Sequence, residues 1–332
     1  MKKIRSLSGA KVVKLLLIAS IIFLIIALAI YPEKYSKSTY KGVLLWAVSV
    51  MPSLLPYFFL TAILTKMNCL TNAFTKLSKV TEKLFRLGGI SCYAFFMSVL
   101  SGYPVGSKLT ADLYQNDLIG KGEANRLSLL CSTSGPLFII GAVGVSMLNS
   151  KTAGFIVYIA HVLSAVVTAL IFRNFYEPPI NSRLLLKSDK TDNILYEAVY
   201  SSVISVLVVG GFVAVFYVIS EILLDFNILY PINFLINIII KPLSRSGEES
   251  LGVTLGLIEF TKGAKMLSGL SLSPLTVSLT CFIITFGGVS VIMQSLAFLK
   301  KACVKTWFFV LGKLVQGVIS FIICYFICLA FL

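Results

Sequence analysis

The segment Ser101-Gly102-Tyr103-Pro104-Val105-Gly106 interrupts an apolar run with hydroxyl, glycine and proline, and about thirty residues later Ser132-Thr133-Ser134-Gly135-Pro136 does so again. The same order returns in the second half of the chain. There Gly256-Leu257-Ile258-Glu259-Phe260-Thr261-Lys262-Gly263 is followed by Thr285-Phe286-Gly287-Gly288-Val289-Ser290. Unwound backbone inside a bilayer is tolerated only where protein or a water-filled cavity satisfies it, and such breaks recur at transporter solute sites. Four breaks in matched order predict an all-α polytopic membrane protein, built from inverted repeats with re-entrant hairpins and broken helices.

Composition supports a membrane chain. Hydrophobic residues make up 57% and charged residues 13%, with a mean hydropathy of +0.92. Soluble domains carry about 25% charged residues, so this chain lacks the polar surface to stay in water. Its 332 residues leave room for about ten apolar segments of roughly twenty residues and little else. The net charge of +15 does not point to nucleic acid, because the basic residues lie mostly between apolar runs, where they orient the chain. Seven cysteines (Cys69, Cys92, Cys131, Cys281, Cys303, Cys324, Cys328) show no CxxC pair and no accompanying histidine spacing, so neither a metal site nor a disulfide nor a cofactor is expected. HExxH, Walker A and GxSxG sequences are absent, and no enzymatic activity is expected.

Outward from the breaks, residues 1–41 read as an uncleaved first span, N-terminus inside, with an outer loop. Residues 42–173 form the first repeat. It holds a span over 42–65, a charged interfacial helix over 70–87, a hairpin over 90–118, a crossing over 123–148 broken at 132–136, and a return crossing over 153–172. A polar linker, 174–197, separates it from the second repeat, 198–332. That repeat holds a span over 198–224, a short interfacial helix over 231–242, a hairpin over 249–269, a crossing over 274–299 broken at 286–288, and a last span over 306–331. Three crossings per half is an odd number, so the second half enters the bilayer upside down. Most Lys and Arg fall in segments this topology places inside, although Lys34, Lys37 and Lys41 run against the bias.

Helix ends created by the breaks are candidate solute contacts. A half-helix N-terminus presents free N–H groups and partial positive charge, which suits a carboxylate or phosphate. Ser132, Thr133, Ser134, Thr261 and Ser290 add hydroxyls. Gly102, Gly135, Gly287 and Gly288 either let a ligand approach backbone closely or merely permit tight helix packing. Glu259 and Lys262, three apart, share a face if helical, and Gln294 with Ser290 would supply polar partners from the facing segment. An ionisable residue at depth costs at least ~2.5 kcal/mol, so this pair marks either a solute site or an ion pair locking the hairpin tip. Lys108 and Asp112, at i and i+4, are a candidate counterpart, although Asp112, Asp117 and Glu123 also suggest an exit into water. Lys313 either snorkels toward the basic end at Lys300–Lys305 or faces the cavity with Gln316. His161, the sole histidine, reads as a helix-packing hydrogen bond or a proton relay.

The segments SGYPVGSKL (101–109), STSGPLFIIGAVGV (132–145), GLIEFTKGAKML (256–267) and FGGVSVIMQS (286–295) resemble the sporulation integral membrane protein YlbJ family, also called SpoVV. The resemblance runs from about residue 40 over nearly the whole chain. It implies a nucleoside-recognition, or Gate-domain, architecture similar to concentrative nucleoside transporters. It also implies a role in endospore formation, moving dipicolinic acid from the mother cell across the outer forespore membrane, and no enzymatic activity. Related transporters often assemble as homo-oligomers. The implied partners are a small anionic solute, dipicolinate, and the lipid bilayer. No family binding residues carry over, so the candidates above rest on their chemistry. Two other readings stand beside this one: a transporter of nucleosides or other small polar solutes, and a membrane scaffold that transports nothing.

Overall fold

The computed structural model describes residues 9–66, 78–176, 193–244 and 247–332. Residues 70–77 of the expected interfacial helix and most of the 174–197 linker lie outside them. Among the described residues every regular element is helical, as the sequence predicts. Among these residues five helices are long and apolar enough to cross a bilayer, and up to seven spans result if each bent pair counts as one.

The first helix, α1 (Gly9–Ile30), is apolar and exposed around most of its circumference. It touches the remainder through a small cluster of Ala27, Tyr35, Val218 and Ile222. The sequence predicts a loop over residues 31–41. Instead Pro32, suited to a first helical turn, starts α2 (Pro32–Leu45), which runs on through a π-helical turn at Trp46–Val50 into α3 (Met51–Lys66). The helix bends by 57° where Pro52 removes a backbone donor. Lysines at odds with the positive-inside bias find partners here. Lys34 Nζ meets Asp225 at 2.7 Å, and Lys37 Nζ meets Glu33 at 2.6 Å.

The short helix α4 (Ser78–Phe85) turns by 82° into α5 (Gly89–Ser101). Gly102, at φ +80°, ends α5, and the chain returns as α6 (Val105–Gln115). Next, α7 (Lys121–Leu130) stops at Cys131. Residues 131–136 are unwound but for the last, and a short apolar π-helical segment, Leu137–Met147, follows. Ser150 then caps α8 (Lys151–Ile171), its hydroxyl accepting from the Ala153 N–H at 3.2 Å. Glu123 does not mark an exit into water. It is buried and accepts from the Gly88 N–H and the Ser91 hydroxyl, while Arg126 beside it donates to the carbonyls of Tyr176 and Arg86. These contacts tie the base of α7 to two neighbouring loops.

The second half repeats the series. A long helix, α9 (Ile194–Asp225), is followed by the short α10 (Tyr230–Ile240). The hairpin is α11 (Glu249–Ile258) and α12 (Phe260–Leu267), and the broken crossing is α13 (Pro274–Phe286) and α14 (Gly288–Leu299). The last helix is α15 (Thr306–Phe331). Pro274 and the Ser273 cap start α13, and Gly287 in the left-handed region (φ +86°) ends it. Helix α2 packs on α9 through small residues: a Cβ on Gly42 would collide with Tyr217, and one on Gly210 with the Trp46 ring. Against α13 and α8 lies α15, so the two last crossings of the halves are neighbours.

Candidate functional site

Breaks within each half press on one another, backbone to backbone. A Cβ on Gly102 would stand 2.5 Å from the Gly135 nitrogen, and one on Gly106 would fall on the Cys131 carbonyl. In the second half, a Cβ on Gly263 would strike Gly256, and one on Gly288 would lie 2.7 Å from the Gly256 carbonyl oxygen. Glycine is required at these positions because another strand of backbone occupies the space a side chain would need. Gly102 and Gly288 thus serve packing and do not face open space. Gly287 ends α13 against the Val291 side chain. Ser98 and Thr133 join their hydroxyls at 2.8 Å across the first junction.

The two halves are then joined by three side chains. His161 on α8 accepts the Ser134 N–H at Nε2 (2.8 Å), so its proton resides on Nδ1, which donates to Thr285 Oγ1 at 2.8 Å. One neutral imidazole therefore bridges the break in the first half to the end of α13 in the second. Tyr103 does the same with its hydroxyl, which lies 3.1 Å from the Ser132 carbonyl and 3.3 Å from that of Thr285. Lys313 on α15 does not snorkel. It is wholly buried, and its Nζ donates to Tyr103 Oη (2.7 Å), the Ser132 carbonyl (3.1 Å) and Gln316 Oε1 (3.0 Å). Every one of these acceptors is neutral, and among the described residues no carboxylate pairs with this lysine.

At this junction lies a narrow cavity with about 20 Å³ of free space, room for little more than a water molecule. Ser134, Gly135, Thr261 and Gln294, all candidates from the sequence, line it. Its apolar walls come from both halves in matching places. Val50 and Leu54 face Val209 and Val213, Tyr103 matches Phe260, and Phe138 matches Val291, each of these last two lying three residues beyond a break glycine. The sequence reading missed a signal for this correspondence. Tyr103-Pro104-Val105-Gly106-Ser107-Lys108 aligns with Phe260-Thr261-Lys262-Gly263-Ala264-Lys265, which pairs Lys108 with Lys265 and not with Lys262. Around the cavity several buried polar atoms lack partners: Ser132 Oγ, Glu259 Oε1, Ser290 Oγ and Gln316 Nε2. Buried polar groups in native proteins are normally satisfied, so these mark hydrogen-bonding capacity the protein does not use on itself.

Glu259 and Lys262 are not the side-chain pair their spacing suggests. Glu259 sits at the break itself, in extended conformation, and caps α12: Oε2 accepts from the Lys262 N–H at 2.7 Å and from the Thr261 hydroxyl. The Lys262 ammonium turns away to Glu221 and to Ser220 (3.0 Å) on α9, and lies 4.5 Å from the Tyr217 ring centre. Glu221 was not singled out in the sequence, since nothing local distinguishes a carboxylate near the end of a long apolar helix from one that simply meets water.

Lys108 and Asp112 line a different space. Theirs is a polar cleft of about 200 Å³ shared with Thr61 on α3 and with Ser201, Ser202 and Ser205 on α9. Both α3 and α9 continue from this cleft to the central cavity, which places the two spaces in series. Along α9, the cleft serines come first, Val209 and Val213 follow at the cavity, and Ser220 with Glu221 comes last. At 1.5 Å per residue the stretch from Ser201 to Glu221 spans about 30 Å, the thickness of a bilayer core.

The chain is 28% identical over 331 residues to the sporulation integral membrane protein YlbJ of Bacillus subtilis (strain 168), a likeness covering 93% of this chain and 81% of that protein. No protein-family model matches, and no solved structure does.

Proposed function

We propose that this chain, a multi-pass member of the sporulation integral membrane protein YlbJ family, is a transporter that carries a small anionic solute, dipicolinate, across the outer forespore membrane. One observation carries the reading. Lys313 places a wholly buried Nζ at the point where the two halves meet, with only neutral acceptors around it. An uncompensated cation in a bilayer core costs several kcal/mol, and an anionic solute in the adjoining cavity would offset that cost. The unpartnered hydroxyls of Ser132 and Ser290 and the buried, cavity-lining side chains of Ser134 and Gln294 add donors for carboxylate oxygens. Once the cavity widens, the apolar side chains of Leu54, Val213, Phe138 and Phe260 that line it would flank a planar ring.

The route runs along α9. The cleft at Lys108 and Asp112 is its open end, and the Lys262–Glu221 pair, with Tyr217 against it, closes the other. With room for little more than a water, the central cavity is a closed state, and a solute enters when the hairpins α5–α6 and α11–α12 part from the helices they press on. At the first junction that movement breaks the Ser98–Thr133 hydroxyl contact and the bonds that Tyr103 and Lys313 make to the Ser132 carbonyl. A nucleoside, being neutral, would leave Lys313 uncompensated, so the lysine favours an anion. The chain itself performs no chemistry on its cargo. The basic residues at the start of the chain support a cytoplasmic N-terminus. The test is solute exchange in proteoliposomes holding the purified protein: dipicolinate loaded inside should accelerate entry of labelled dipicolinate, and uridine should not. Exchange with uridine alone would replace this reading with a nucleoside transporter, and exchange with neither would favour a scaffold.

A further inference from the structure

Glu259 has no place in the anion contacts just described, yet it is the most deeply buried acidic group near them. Its residue has no solvent exposure. Oε2 takes the Thr261 hydroxyl and the Lys262 N–H, and Oε1 has no partner. The nearest ammonium, on Lys262, is directed to Glu221. The titratable and charged groups around it are Lys262 on its own helix, and Tyr217 and Glu221 on α9, with Asp225 a turn further. The face of α14 packed on this break, at Gly288, presents none.

We infer that Glu259 is the proton-binding site that couples solute movement to a proton gradient. An ionised carboxylate here would be buried with one oxygen unsatisfied and its best counter-charge already taken. A proton on Oε1 removes the charge and leaves Oε2 free to accept the two bonds it already accepts. The linkage to solute follows from position. Thr261, which lines the cavity, is the residue whose hydroxyl bonds Glu259, so the carboxyl lies directly behind the cavity wall. Ionised, it repels an anion in the cavity; protonated, it does not. Binding of an anionic solute and of a proton therefore favour one another, and a carrier that crosses only with both bound, or with neither, moves the pair in the same direction. The proton that boards Glu259 on one side leaves it on the other, and no bond in the solute is made or broken. This inference rests on the transport reading above and adds the coupling ion to it.

The experiment uses the full chain in proteoliposomes, with membrane voltage clamped at zero by potassium and valinomycin, protein-free vesicles as the control, and dipicolinate as the probe. For one proton per solute, an alkaline lumen should drive accumulation of up to about tenfold per unit of pH gradient. A dipicolinate gradient imposed at uniform pH should carry protons with it, read by a dye trapped in the lumen. In Glu259→Gln the pH gradient should no longer drive accumulation, and dipicolinate exchange should lose its dependence on pH. Wild-type exchange without accumulation or proton movement would overturn the coupling and leave the transport reading standing. Absence of exchange would remove both. The wild-type proton measurement decides the matter if the variant does not fold. A Glu259→Gln protein that still accumulates dipicolinate on a pH gradient would also overturn it.

Discussion

Replacing Lys313 with Met separates a solute-binding lysine from a merely structural one, because the two roles predict opposite outcomes. The side chains are similar in length, so packing between α15, α13 and α8 is kept. The loss leaves Gln316 Oε1 without its donor, at a cost of about 1–3 kcal/mol, whereas the Ser132 carbonyl keeps Tyr103. Against this stands relief from burying an uncompensated ammonium, worth several kcal/mol. Folding stability should therefore hold or rise. Affinity should fall. A carboxylate bonded on the cavity side of the Tyr103 hydroxyl would lie roughly 5–6 Å from Nζ, since the lysine–tyrosine bond is itself 2.7 Å. At an effective dielectric of about 20 the attraction is then about 3 kcal/mol, or roughly a hundredfold in dissociation constant. Equilibrium binding of dipicolinate to detergent-solubilised protein measures the second quantity and thermal unfolding the first. A variant that binds within threefold of wild type and unfolds at lower temperature would refute the reasoning, and Lys313 would be a structural donor only.

Three further outcomes follow from the geometry. Gly263→Val drives a branched side chain into Gly256 and should abolish stable insertion of the second hairpin, whereas Gly211→Ala, where nothing lies within 4 Å, should leave unfolding temperature unchanged; a fluorescence-detected unfolding series compares them. Glu221→Gln removes the counter-charge of Lys262 and should open the far end of the route, seen as faster modification of a cysteine placed at Thr261; equal rates in both backgrounds would mean that the pair does not close the route. Single cysteines at Ser36 and Asn174, in a cysteine-free background, should react with impermeant reagent from opposite sides, and labelling of both from one side would reject the crossing count.

The breaks were legible in the sequence because Gly, Pro and Ser clusters stand out against apolar surroundings, and all four interrupt helices as predicted. What they do was less legible. Gly102 and Gly288 pack against backbone distant in sequence, and only the fold reveals which face of a glycine is occupied. Lys262 and Glu259 looked like a pair because spacing assumes a continuous helix, and the break at Glu259 rotates one relative to the other. Lys313 and His161 sit in apolar helices with no local sign of their partners, since Tyr103, Ser134 and Thr285 come from other segments. Glu221 was hidden for the same reason. Local pattern announces where a helix stops, whereas the partners of a buried charge depend on packing between helices far apart in the chain.

The central claim is that the cavity between the two halves carries an anionic solute through the membrane, and exchange of labelled dipicolinate across proteoliposomes measures that most directly. The account predicts saturable uptake stimulated by dipicolinate inside, resisted by uridine, and lost in Lys313→Met. Uptake no faster than in protein-free vesicles, with a correctly folded and inserted protein, would contradict it.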